Sequence, residues 1–333
     1  MTQSIFLQAF HGANERVPVW FMRQAGRYLP EYQALKAKYS LDEMFETPEI
    51  AAAITRMPVD ILGVDAAILF ADILTLPKAM GVAVTFDNHK GPVIDSAFDL
   101  NNLRDFEKLD YLSEIIQLTN QQLPAHIPLI GFAGSPFTVL SYLISGEANL
   151  NFPKIFKFIY ENPVRFHDYM QKLTVNTIRY INFQKKAGIK AYQIFDTWAG
   201  VLQARDFEKW VLPYAESIFN HIDLPSIYYV KNCRHLLGLM NESGADMLSV
   251  CQTVELGSQE TLARIHCGVQ GNLFNGLVYA KDEKLEREVE QVLTGGAKHK
   301  RFIFNLSHGI FPDTSVEKLK LIVNQVHAFQ LSR

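Results

Sequence analysis

Short apolar runs alternate with helical segments along most of the chain, and this alternation limits the possible folds more than any other feature. Apolar runs at 66–71, 128–133, 190–195, 226–230, 246–250 and 301–306 are separated by helical patterns at about 112–123, 163–186, 206–220, 235–242, 258–265 and 282–293. A further segment is expected around Val269-Gln270-Gly271-Asn272 and a final helix at about 315–330. Continuous apolar runs suit strands buried on both faces, as in a parallel sheet. Parallel neighbours need crossovers, and right-handed crossovers lead to a closed barrel or to an open doubly wound sheet. No Gly-x-Gly-x-x-Gly follows the first strand, which weakens the dinucleotide-binding version of the open sheet. Seven strands are read, with an eighth left open. The expectation is a single (β/α)8 TIM barrel over residues 1–333, distorted by a β-hairpin at 81–98 and an N-terminal arm at 1–16.

Bulk properties narrow the function. The 333 residues could form one large domain or two smaller ones, but nothing resembles a separating linker. With 48% hydrophobic residues, a large core is available. The formal charge of -3 gives no whole-molecule attraction to nucleic acid or a membrane surface, so an anionic ligand would need a local cluster of Arg or Lys. Cys233, Cys251 and Cys267 are too few for a disulfide framework and fit a reducing cytosol. Met1 to Asn14 lacks a signal-peptide pattern, and no uncharged apolar stretch approaches the roughly 18 residues of a membrane helix. A cytoplasmic protein is expected.

Polar residues follow strand upon strand: Asp72, Ser135, Asp196, Thr197, Lys231, Asn272 and His308. In a barrel these ends meet on one face, where active sites sit. Asp72 is a carboxylate in apolar surroundings, so it either caps or pairs structurally or serves a ligand. His308 and Tyr142 each have the same two readings. Arg23 and Arg27 stand four apart around Gly26, as an anion-binding spot or as a solvated pair. In a loop, Gly26 would let the backbone approach a ligand. Lys231 either reaches solvent or acts at the site. The Cys and His spacings suit zinc poorly, and Gly295-Gly296 reads as a helix stop.

Five blocks together resemble the uroporphyrinogen decarboxylase family. They are Arg23-Gln24-Ala25-Gly26-Arg27-Tyr28-Leu29-Pro30-Glu31-Tyr32, Asp65 to Leu74, Gly131 to Thr138, Phe195 to Gly200 and Phe304 to Gly309. The resemblance implies a distorted barrel that forms a homodimer with its active-site faces towards each other. It implies loss of CO2 from the four acetate arms of uroporphyrinogen III to give coproporphyrinogen III, with no metal or cofactor. Arg23 and Arg27 would then bind carboxylates, with the backbone of Gln24, Ala25 and Gly26 close by. Asp72, ionised, would hold the pyrrole N–H groups. Tyr142, Thr197 and His308 would complete the site, with Phe132 and Phe195 as apolar walls, and the catalytic set would be Asp72, Arg23, Tyr142 and His308. The physics agrees: forked arginine donors suit a substrate with eight carboxylates, and a buried carboxylate stabilises a ring cation where it develops. The chain departs from the family at Asn232-Cys233-Arg234, Cys251-Gln252 and Phe274-Asn275, which puts contacts at the rim in doubt. Two other readings stand beside it. One is a zinc-dependent corrinoid methyltransferase of the same superfamily, and the other a non-catalytic tetrapyrrole binder.

Overall fold

Nine strands are present in the structure, a computed structural model that describes residues 4–87, 91–94, 99–146 and 153–331. They are β1 (Ala67–Ile68), β2 (Val84–Asp87), β3 (Gly91–Ile94), β4 (Leu129–Gly134), β5 (Ala191–Asp196), β6 (Ser226–Val230), β7 (Met247–Ser249), β8 (Gly268–Leu273) and β9 (Phe302–Leu306). Seven pair in the order β1-β4-β5-β6-β7-β8-β9, and every pairing is parallel. All residues of β4, β6, β8 and β9 are buried; β4, β6 and β9 read as apolar runs for that reason, whereas β8 carries the buried polar residues Gln270 and Asn272. Helices connect successive strands and cover the outside. The expected hairpin exists as the antiparallel pair β2–β3. Its turn at 88–90 and the stretch 95–98 lie outside the described residues.

The sheet is curled, a half-barrel of seven strands. The segment Pro18 to Trp20 reaches both of its edges. Phe304 N–H in β9 donates to Pro18 O at 2.9 Å, and Val19 bridges Phe304 in parallel. On the other side Asp65 N–H, just before β1, donates to Val19 O at 2.8 Å. Because every strand of the sheet is parallel, the loops after β1, β4, β5, β6, β7, β8 and β9 all open at one end. The buried apolar side chains form one continuous cluster, with Trp20, Phe21, Tyr192, Tyr228, Tyr229 and Phe304 fully enclosed.

Several elements differ from expectation for local reasons. The run 66–71 pairs with β4 only over Ala67 and Ile68. Leu69 N–H still reaches Ile130 O, but Phe70 N–H then turns to Thr55 Oγ1 at 3.0 Å. The helix expected at 206–220 is two, Ala204–Trp210 and Leu212–Asn220, because Pro213 has no N–H to continue the first. The helix Pro153–Glu161 was not read from the sequence. Gly295 and Gly296 are the last two residues of their helix, which runs Asp282–Gly296, a little beyond its expected end. There a Cβ on Gly296 would lie 2.3 Å from the Phe302 ring, so the residue serves close packing. The helix Pro48–Leu62 has Pro48 in its first turn and Gly63 after it at φ 73°. Thr47 occupies the N-cap, and its side chain makes no capping bond. No helix among the described residues is long and apolar enough to cross a membrane.

Candidate active site

Arg23 is the hub of the open end. It follows the segment that bridges the sheet edges, and its backbone adopts φ 62°, a left-handed conformation unusual for a residue with a side chain. Two arrangements hold it there. Gln24, fully buried, accepts from Phe21 N–H at 2.9 Å and donates to Ala66 O at 2.9 Å, tying the loop to β1. Gly26 packs against the Arg23 carbonyl, where a Cβ would meet the oxygen at 2.8 Å. The Arg23 side chain then lies across Gly309, close enough that a Cβ there would be 2.4 Å from Cδ.

Asp72 closes the β1 side. Its Oδ1 accepts from Leu74 N–H at 2.8 Å, and its carbonyl accepts from Thr75 N–H at 3.1 Å. Burial raises its pKa; the Leu74 N–H and the Arg23 charge oppose that but do not cancel it. Tyr142, on the helix Pro136–Ser145, is buried with its pKa raised by desolvation, lowered in part by the Trp198 hydrogen bond, and it responds to the charges of both Asp72 and Arg23. Its ring meets Trp198 edge-on at 6.2 Å.

An aromatic wall continues across the next strands. Phe132 meets Phe195 at 5.5 Å, Phe195 meets Tyr229 at 5.9 Å, and Tyr229 stacks on His308 at 6.2 Å. The Tyr229 hydroxyl donates to Ser307 O at 3.2 Å and lies 3.3 Å from His308 Nδ1. Burial, then the charges of Arg23 and Lys231, push the His308 pKa down to about 4. The imidazole is therefore neutral at pH 7. The whole assembly offers a carboxylate, cations, a phenol and a neutral imidazole over an apolar wall. That combination suits an anionic, partly aromatic ligand carrying N–H donors.

The comparisons with known proteins point the same way. The family model described as "Uroporphyrinogen decarboxylase (URO-D)" matches residues 1–329. This chain belongs to the uroporphyrinogen decarboxylase family. It is similar to the uroporphyrinogen decarboxylase of Thermodesulfovibrio yellowstonii, 42% identical over 333 residues and 98% of each chain. The Trichlorobacter lovleyi enzyme of the same name is 40% identical over 335 residues, 97% of each chain. Among solved structures, a methyltransferase from Methanosarcina mazei superposes with TM-score 0.79 at 18% identity over 98% of each chain, a likeness of fold.

For a member of the uroporphyrinogen decarboxylase family, the strand ends divide into two sets. Asp72, Lys231 and His308 stand around Arg23 at the open end, with Thr197 half-buried just beyond β5. Three others turn into the scaffold. Asp196 accepts from Ser135 Oγ, from Thr138 Oγ1 at 2.8 Å and from Tyr228 OH at 2.8 Å. Ser135 also caps the helix that carries Tyr142. Asn272 donates to Cys251 O at 2.8 Å and Val254 O at 2.7 Å. Within the arginine block, the Gln24 side chain is committed to the loop, and Ala25 and Gly26 are half-buried there. Arg27 is exposed and acts electrostatically on Tyr32. Tyr229 and Trp198 were missed. Period-two alternation could have flagged Tyr229, since adjacent Tyr228 and Tyr229 must face opposite sides of the sheet.

Proposed function

We propose that this protein is a uroporphyrinogen decarboxylase of porphyrin and haem biosynthesis, removing CO2 from the four acetate arms of uroporphyrinogen III to give coproporphyrinogen III. The observation that carries the reading is Asp72, a carboxylate in the loop after β1 and beside Arg23, in a chain that matches its family over nearly its whole length. The pyrrole N–H groups donate to Asp72. Those donors favour the carboxylate and so counter the burial that raises its pKa. A proton is added to a ring carbon, and Asp72 stabilises the cation that results. The bond to the carboxylate carbon then breaks, its electron pair entering the ring as CO2 leaves. The exposed methylene takes a proton, and the ring carbon returns one to restore aromaticity. In net terms one proton replaces each CO2, and the pyrrole itself is the electron sink.

Arg23 and Arg27 hold acid arms, the backbone of Gln24 to Gly26 borders them, and Phe132 and Phe195 flank the macrocycle. Tyr142, Thr197 and His308 complete the hydrogen bonding. A neutral His308 makes a poor store of protons at pH 7, which favours Arg23 or water as the route for the proton. The bonds from Pro18 to Trp20 towards β9 and β1 support closure into a distorted eight-stranded barrel and a single domain. A cytoplasmic homodimer with facing sites is part of the same proposal.

The methyltransferase reading draws on the Methanosarcina mazei fold. It would need a zinc–thiolate set, and among the described residues no three or more His, Cys, Asp or Glu side chains gather as such a set. The deciding experiment is anaerobic incubation with uroporphyrinogen III, with products separated by carboxylate number. Stepwise appearance of hepta- to tetracarboxylate species is expected. Binding without any loss of carboxylate would favour a tetrapyrrole binder instead.

A further inference from the structure

We propose that Lys231 is a further carboxylate-binding cation of the cleft, engaging an acid arm of the substrate from the β6 side. The proposal rests on the porphyrinogen reading above. Tyr229 in β6 faces the cleft wall, contacting Phe195 and His308. Tyr228 faces the other side, contacting Asp196 and Phe219. Strand alternation carries Lys231 to the Tyr229 side as the chain leaves the sheet.

Its amine is held over the site. Lys231 Nζ lies 5.9 Å from the centroid of the Trp198 ring, the same ring that meets Tyr142 edge-on. The main chain below is clamped: a Cβ on Gly200 would fall 1.7 Å from the Lys231 carbonyl oxygen, so neither segment can shift without disturbing the other. Lys231 is half-buried, and among the described residues none of the ion pairs includes it. A partly desolvated ammonium gains most from a carboxylate brought to it. Two arginines cannot serve eight carboxylates, and a lysine adds a compact point charge where the loop arginines do not reach. The same positive charge helps to keep His308 neutral.

The test uses the full-length protein with Lys231→Met and Lys231→Arg. Anaerobic titration with uroporphyrinogen III gives Kd, product analysis gives turnover, and NMR gives the His308 titration midpoint. Lys231→Met is expected to weaken binding about tenfold, the worth of one charge-assisted hydrogen bond, and to raise the His308 midpoint. Lys231→Arg should restore most of both. Unchanged Kd in Lys231→Met overturns the assignment while wild-type turnover leaves the decarboxylase reading intact. Weakened binding that Lys231→Arg does not recover also overturns it, since charge would not be the cause. Wild-type binding without CO2 release refutes the decarboxylase reading, and the Kd comparison still decides Lys231. Failure of the wild type to bind refutes both.

Discussion

Single atoms decide the behaviour of Arg23. The left-handed backbone at Arg23 aims its side chain across Gly309, and any Cβ at that glycine would strike Cδ and Cγ. Gly309→Ala should therefore push the guanidinium out of the cleft. Steady-state kinetics should show kcat/KM down by at least about tenfold, with the thermal midpoint nearly unchanged, because Arg23 is exposed and carries little packing. Asp72→Ala should abolish coproporphyrinogen formation, measured by product chromatography, while circular dichroism reports an intact fold. Near-normal turnover in that variant would refute the role of Asp72 as the electrostatic centre of the reaction.

At the scale of elements, Asp72 in the loop after β1 and Asp196 at the end of β5 have opposite duties. Asp196 is fully buried and gathers hydroxyls from the loop after β4, the helix that follows it and β6. Its carboxyl lies above the usual range because burial outweighs those donors. Asp196→Ala would strand buried hydroxyls and loosen the helix that carries Tyr142. We expect a loss of ~3 kcal/mol in denaturant unfolding, since each unmatched buried donor costs on the order of 1–3 kcal/mol. Activity should fall only as far as the folded fraction and the Tyr142 position allow. Equal stability of the variant and the wild type would mean that the bracket is not structural. The Gln24 bonds to Phe21 and Ala66 are a second bracket of this kind, and they tie the arginine loop to the segment leading into β1 although its tip is exposed.

Across the whole molecule, segments far apart in sequence are fastened at one carboxylate. Arg16 pairs with Asp65 through bonds of 2.9 and 2.6 Å, and His327 on the helix Val316–Ala328 reaches the same group at 3.1 Å. Burial pushes the Asp65 pKa up, but the Arg16 and His327 hydrogen bonds and charges overcome it, and the net shift is downward. A carboxylate with a depressed folded pKa contributes stability above its unfolded value of 3.8 and loses it as pH falls further. His308 acts in a separate window. Its folded pKa of about 4 lies below the unfolded 6.5, so the unfolded chain takes up this proton first and stability declines between those values. Thermal midpoints from pH 8 to 3 should separate the two. The advantage of wild type over Asp65→Asn should shrink only below about pH 4. Against His308→Gln, wild type should lose ground between pH 6.5 and about 4. A wild-type curve parallel to both variants would contradict this account.

Much was legible beforehand, because it depends on local pattern. Unbroken apolar runs separated by helices signalled a parallel sheet, and strand β6 was located to the residue. The place of Asp72 after the first strand and the spacing of Arg23 and Arg27 were equally plain, although β1 ends at Ile68 and leaves Asp72 in the loop, and the five motif blocks pointed to the family. What the linear pattern could not decide was direction. Asp72 and Asp196 read alike, yet one borders Arg23 and the other is enclosed by Ser135, Thr138 and Tyr228. Gln24 belonged to a binding motif, yet its amide is spent on Ala66. The extent of β1 was decided by Thr55, which diverts Phe70 from the ladder. In each case the partner lies outside the local motif, on an element that reaches the residue only when the chain has folded. Sequence alone determined which groups stand at the sheet's open end; tertiary structure decided which of them face the cleft, because a polar side chain turns towards whichever hydrogen-bond partner burial leaves within reach.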